Sequence, residues 1–177
     1  MHSNPQGQRQ PQNQHQQQGQ RQPQNQHTKG ESKKVIQWFT DDNKTDDNKT
    51  EDNKKNKKTI RPELLDKKAE EEAEAWFGGN NQFTKSQLRR YYNEVKNLER
   101  QLKALGDTKT GWDNVYPMVK MLKSKIAYDK NRENSKIPDA FENFIRNCVD
   151  SIKTEEDFKA FVKHFEACVG FFKGKEK

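Results

Sequence analysis

The side chains of this 177-residue chain whose types and spacing could do chemistry are cations, and they suit the attraction of a polyanion. Lys85, Arg89, Lys96, Arg100 and Lys103 fall within about 60° of one another if each residue turns by about 100°, as in a helix. Arg90 lies in the same run. Downstream, Lys120, Lys123 and Lys130 flank one side of an apolar stripe, with Lys125, Tyr128 and Arg132 on the other. Residues 84–132 hold 12 basic and 5 acidic groups, a surplus of 7 that equals the net charge of the whole chain, +7. Within the folded segment the excess is local, because residues 61–83 carry 3 basic and 6 acidic groups and residues 133–177 carry 8 and 9, while residues 1–60 carry 11 and 7. Point charges without a base-reading loop favour phosphate contacts, which give affinity and salt dependence but little sequence preference. An amphipathic helix also exposes a charged face for solubility alone, and Glu94, Glu99, Asp107 and Asp129 dilute this one. The pattern by itself leaves both readings open.

Other chemistries find less support. His164 is the single histidine after residue 60 and has no Cys or Ser partner at a recognisable spacing, so it reads as a structural or solvated ring. His2, His15 and His27 lie in or beside Gln-rich repeats, with no cysteine or carboxylate cluster at ligand spacing. Glu70, Glu71 and Glu72 read as a solvated helix face rather than a metal cluster. Without a P-loop, a Gly-rich dinucleotide turn, HExxH or Cys-x-x-Cys, neither catalysis, a metal nor a cofactor is expected. Cys148 and Cys168 sit among apolar residues and read as buried, reduced thiols, which suits a cytoplasmic protein. No apolar run approaches the ~18 residues of a membrane span, and no signal-peptide core follows Met1-His2-Ser3-Asn4. No membrane partner is expected. Tyr91 falls in an apolar stripe and is expected in a core; Tyr92 and Tyr128 could stack on bases or pack inward.

Positioning the cations requires rigid elements, and the apolar residues that build them come after residue 60. Residues 6–15, QGQRQPQNQH, recur as residues 18–27, and Thr40–Lys44 recurs at Thr45–Lys49 and, with Glu51, at Thr50–Lys54. Such polar repeats bury nothing against the entropy of ordering, so residues 1–60 are expected to form a disordered, low-complexity tail. Its one apolar cluster, Val35-Ile36-Gln37-Trp38-Phe39, is either a partner-docking motif or a chance patch. Residues 61–177 form the expected folded domain. Pro62 to Phe77 reads as a helix stopped by Gly78-Gly79. Thr84-Lys-Ser-Gln87 is a capping box that opens a helix of about 21 residues, with Leu88, Tyr91, Val95, Leu98, Leu102 and Leu105 inward until Gly106. After a turn at Asp107 to Gly111, Val115, Met118, Val119, Leu122 and Ile126 share one side until about Arg132. Pro138 opens a fourth stretch with Phe141, Phe144, Ile145, Cys148 and Ile152. Thr154-Glu-Glu-Asp157 caps a fifth with Phe158, Phe161, Val162, Phe165, Cys168 and Val169. The expected fold class is all-α, a compact antiparallel bundle of about five helices.

Three segments carry a family resemblance: Phe83-Thr-Lys-Ser-Gln-Leu-Arg-Arg-Tyr-Tyr-Asn-Glu-Val95, then Pro117-Met-Val-Lys-Met-Leu-Lys-Ser-Lys-Ile-Ala-Tyr128 with Arg132, and Glu155-Glu-Asp-Phe-Lys-Ala-Phe-Val-Lys-His-Phe-Glu-Ala-Cys-Val-Gly-Phe-Phe172. In order and spacing they resemble the small subunit of the type III-A CRISPR Csm complex, an antiviral defence assembly. The resemblance implies a non-catalytic helical bundle present in several copies, lying along the duplex of guide RNA and target RNA beside the repeating backbone subunit, with cleavage left to other subunits. It implies RNA-backbone contacts for Arg89, Lys123, Lys125 and Arg132. Joined to the charge count, it makes Lys85, Arg89, Arg90, Lys96, Arg100, Lys120, Lys123, Lys125 and Arg132 the expected RNA-binding residues. The expected partners are guide RNA and target RNA, the other Csm subunits and neighbouring copies of the chain itself. The competing expectation is a helical adaptor or oligomerisation module that binds no RNA.

Overall fold

Local signals set the helix ends in the computed structural model, which describes residues 1–2, 34–40, 58–77, 83–106 and 109–174. Met1 and His2 belong to one unit, Met1–Ser32, and all the helices to a second, Lys33–Lys177. Most of the expected disordered tail, residues 3–33 and 41–57, lies outside the described residues. The helices are α1 (Lys67–Phe77), α2 (Lys85–Ala104), α3 (Lys109–Lys130), α4 (Asp139–Ser151) and α5 (Glu155–Gly174). The all-α expectation holds: among the described residues the one β pairing is an isolated antiparallel bridge between Phe39 and Ile60.

The capping box at α2 forms in full, with the Gln87 N–H donating to Thr84 Oγ1 at 3.2 Å and the Thr84 N–H donating to Gln87 Oε1 at 3.0 Å. Gly106 follows the helix at φ 76°, a left-handed conformation that glycine adopts without a Cβ clash. At α5 the N–H groups of Lys153 and Thr154 both donate to Asp157 Oδ2 at 2.9 Å. Two boundaries differ from expectation. The stretch from Pro62 first makes a 3-10 turn, Pro62–Leu64, and becomes α-helical only at Lys67. That break lets Leu64 turn inward and leaves its carbonyl to accept from His164 Nδ1. Helix α3 begins two residues before Gly111 and runs through Pro117. Pro117 has no N–H to donate, yet Val115, Val119, Leu122 and Ile126 are all buried around it, and that packing outweighs one missing hydrogen bond.

The core is aromatic. Trp76 of α1 lies edge-on to Phe141 and Phe144 of α4 at 5.0 Å each and to Phe165 of α5 at 6.1 Å. Helix α1 packs chiefly on α5, α3 on α4, and α2 between α3 and α5. The pairs Arg90–Asp129 and Glu94–Lys125 run α2 and α3 antiparallel. In contrast Leu64–His164 and Phe77–Phe172 run α1 and α5 parallel, so the bundle is not antiparallel throughout. Two residues expected inward are on the surface, Leu105 at 50% exposure and Met118 at 43%. Leu105 follows the last turn of α2, and Met118 lies about 70° from the centre of the α3 stripe.

The apolar cluster at 35–39 docks on its own bundle through Trp38, with Ile36 and Phe39 half-buried and Val35 left 77% exposed. Trp38 is 3% exposed and sits edge-on to Phe161 and His164 at 6.3 and 6.2 Å. Its Nε1–H donates to the Ser151 carbonyl at 3.1 Å, and the Ile36 N–H donates to Ser151 Oγ at 2.8 Å. The Arg61 N–H donates to the Trp38 carbonyl, and the Thr40 N–H to the Thr59 carbonyl, both at 3.0 Å. Residues 34–40 thus form an arm clasped at the C-terminal end of α4.

Candidate nucleic-acid interface

The α2–α3 hairpin separates the nine expected RNA-binding residues into three groups rather than gathering them on one surface. On the seam between the two helices, the Arg90 guanidinium donates to Asp129, and Lys125 pairs with Glu94. Asp129 is nearly buried and also accepts from the Tyr91 hydroxyl at 2.5 Å. Burial pushes the Tyr91 phenol up, and the bond to the Asp129 carboxylate adds to it. Arg90 also lies over the Tyr91 ring, 5.5 Å from its centre. These contacts fix one guanidinium, half-exposed, at the seam. Arg132 stands exposed just beyond the end of α3.

On the α5 side of α2, Lys85 and Arg89 line a crevice of about 90 Å³ with Tyr92, Val169 and Phe172. Lys96 pairs with Glu99 at 2.5 Å and reaches Glu166 at 3.8 Å, and the hydrogen bond to Glu99 raises its pKa. Burial pushes the Glu99 carboxyl up, but hydrogen bonds from Lys103 and Lys96 outweigh it and hold the group below the usual carboxylate range. Tyr92 is half-buried and donates to Glu166 at 3.1 Å. Arg100 is exposed on the outer face. On the far flank of α3, Lys120 donates to the carbonyls of Val149 and Ile152 at 2.6 and 2.9 Å. It thereby caps the C-terminal end of α4, where a cation suits the helix dipole. Lys123 pairs with Asp150 at 2.5 Å.

Apart from Glu99, which lies on α2 itself, these partners come from other helices or their ends, and the spacing of charges did not reveal them. Arg89, Arg100 and Arg132 are exposed and have no ion-pair partner among the described residues. A guanidinium in that state can present its planar fork to a phosphate without first breaking an internal bond. Tyr91 is in the core as expected, while Tyr128, left open above, is 70% exposed. Earlier on α3, Met118 and Met121 are exposed too, Met121 at 65%, an apolar feature that the charge count did not find.

The remaining candidate groups are structural. Buried His164 donates from Nδ1 to the Leu64 carbonyl, and burial lowers its pKa. Cys148 and Cys168 are buried free thiols whose pKa values burial pushes well up. Among the described residues, no group of three His, Cys, Asp or Glu could hold a metal ion, and no helix is long and apolar enough to cross a membrane.

Comparison with known proteins agrees with the helical hairpin and the flanking segments. No curated protein and no solved structure matches the chain. The Csm2 Type III-A family model matches residues 59–177, which spans the 3-10 turn and all five helices. The chain belongs to the Csm2 type III-A family and is a subunit of the type III-A CRISPR Csm complex.

Proposed function

We propose that this subunit is a non-catalytic RNA-binding element that contacts the backbone of guide and target RNA through the outward side of the α2–α3 hairpin. The observation that carries the reading is the set of exposed arginines, Arg89, Arg100 and Arg132, unpaired among the described residues, on or just beyond a hairpin whose residues 84–132 carry a surplus of 7 positive charges. Arg90, held by Asp129 and Tyr91, and exposed Tyr128 supply a fixed cation and a ring for stacking beside them. Lys85 extends the basic side toward the N-terminus of α2. Lys96, Lys120, Lys123 and Lys125 contribute mainly to the fold, because each would have to leave a carboxylate or carbonyl partner to reach RNA.

A second reading is favoured by the exposed Leu105, Met118 and Met121, which suit contact with a neighbouring Csm subunit or another copy of the chain. A filter-binding salt titration separates the two. For RNA binding, log affinity falls linearly with log salt, with a slope near −0.7 per phosphate contacted on a single strand. Arg89→Ala, Arg100→Ala and Arg132→Ala combined is expected to make the slope shallower by about 2. Lys120→Ala with Lys123→Ala is expected to lower the melting temperature and leave the slope in place. Binding that is absent, or insensitive to salt, overturns the RNA reading in favour of the adaptor.

A further inference from the structure

Between Arg89 and Arg100, the outward side of α2 carries two asparagines that the charge count passed over. Ser86, Arg89, Asn93, Asn97, Arg100 and Ala104 recur every three or four residues and all six are exposed, so they form one stripe along the helix. At about 1.5 Å of rise per residue the two arginines stand roughly 16 Å apart, with the asparagines between them about 6 Å from each other. The stripe holds no carboxylate. The two that α2 carries are turned to its flanks and paired there, Glu94 with Lys125 of α3 and Glu99 with Lys96 and Lys103. Neither asparagine amide has a hydrogen-bond partner among the described residues. Asparagine is a poor choice for the interior of an exposed helix, because its amide competes for backbone groups, and two that make no internal bond add nothing to the fold.

Such a stripe offers cations toward its ends, for phosphates, and amides in the middle that both donate and accept. An A-form RNA duplex hides its base edges in a deep, narrow major groove, but its shallow minor groove displays 2′-hydroxyls, which likewise donate and accept. Short amide side chains reach them only if the helix lies close, and the small side chains of Ser86 and Ala104 leave room for that approach. B-form DNA would offer asparagine the edge of adenine, but in a major groove about 8.5 Å deep, which calls for a protruding helix. Helix α2 does not protrude, because α3 and α5 pack along both its flanks. We infer that Asn93 and Asn97 hydrogen-bond 2′-hydroxyls in the minor groove of an A-form RNA duplex, with Arg89 and Arg100 on the bordering phosphates, so that this subunit itself distinguishes RNA from DNA. The inference rests on the RNA-backbone reading of the hairpin and adds to it a chemical selectivity that phosphate contacts alone lack.

The test is fluorescence-anisotropy titration of the full-length protein with four ligands of one sequence. These are an RNA duplex, the same duplex with 2′-fluoro in place of every 2′-hydroxyl, a DNA duplex and a single RNA strand. The 2′-fluoro duplex keeps the phosphates and the A-form geometry and loses only the hydroxyls. At equal salt the RNA duplex is expected to bind about tenfold more tightly than the 2′-fluoro duplex. Asn93→Ala with Asn97→Ala is expected to close that gap and leave the salt slope unchanged, since the arginines remain. Alanine suits a helix better than asparagine, and a circular dichroism melt checks that this variant folds. Arg89→Ala with Arg100→Ala is expected to weaken both duplexes, flatten the slope and keep the gap. Equal affinity of the wild type for the RNA and 2′-fluoro duplexes, or a gap that persists in the folded double-asparagine variant, overturns the inference, while salt-dependent RNA binding in either case leaves the backbone reading standing. Tighter binding of the DNA duplex or of the single RNA strand than of the RNA duplex overturns it too, the former in favour of major-groove readout. Absence of salt-dependent binding to all four ligands removes both readings.

Discussion

Replacing Trp38 by alanine tests whether the arm belongs to the fold, since the arm lies before the family match that starts at residue 59. A buried tryptophan removes about 150–250 Å² from water, worth roughly 4–6 kcal/mol at ~25 cal/mol per Å². The Nε1–H bond to the Ser151 carbonyl contributes about 1 kcal/mol more. The full sum is not lost, because the arm can let go. Without the indole, half-buried Ile36 and Phe39 and the remaining hydrogen bonds no longer offset the ordering of residues 34–40, at ~1–2 kcal/mol per residue. The loss therefore stops at the docking free energy of the arm, about 3 kcal/mol, the low end for a buried Trp→Ala change. At this domain size that corresponds to a fall of roughly 10 °C in melting temperature. Thermal and urea denaturation followed by far-UV circular dichroism reads it directly. Deletion of residues 1–40 is expected to melt with Trp38→Ala, whereas Trp38→Phe keeps much of the stability. A melting point within about 3 °C of wild type for both Trp38→Ala and the deletion refutes the reasoning.

Asp129→Ala is expected to cost about 2 kcal/mol, because it leaves the buried Tyr91 hydroxyl without its acceptor, and Tyr91→Phe in the same chain should restore part of the loss. A double-mutant cycle in urea checks this, and additive effects would show that the two groups are not coupled. Stability is also expected to depend on pH through His164. Burial, with a smaller effect from Lys68, lowers its pKa in the folded state, so below an unfolded value of about 6.5 the unfolded chain binds more protons. The stabilisation is complete above that value and is lost as pH falls through the folded one. Wild type should therefore lose more stability than His164→Gln between about pH 7 and pH 5. The comparison with the variant cancels Glu72, whose raised carboxyl acts in the opposite sense.

Much of the molecule was legible along the chain because its determinants are local. The Thr84–Gln87 box, the glycine at 106 and the Phe and Leu stripes each act within a few residues, and the helices form where those signals stand. The late start of α1 was not legible, because it depends on Leu64 turning in and on a histidine 100 positions later. Nor could charge spacing tell an available cation from a committed one. Lys120 and Lys123 have the same sequence signature as Arg89 and Arg100, but their partners stand on α4, which packing alone brings beside α3. The arm shows the same division most clearly. Composition marked Val35 to Phe39 as apolar, but an indole finds its edge-on ring partners and its carbonyl only after Ser151, Phe161 and His164 have been assembled from distant helices. The sequence by itself determined which residues would be helical and where the charge would accumulate; tertiary structure decided which charges are spent and what the arm covers, since ion pairing and burial depend on neighbours in space.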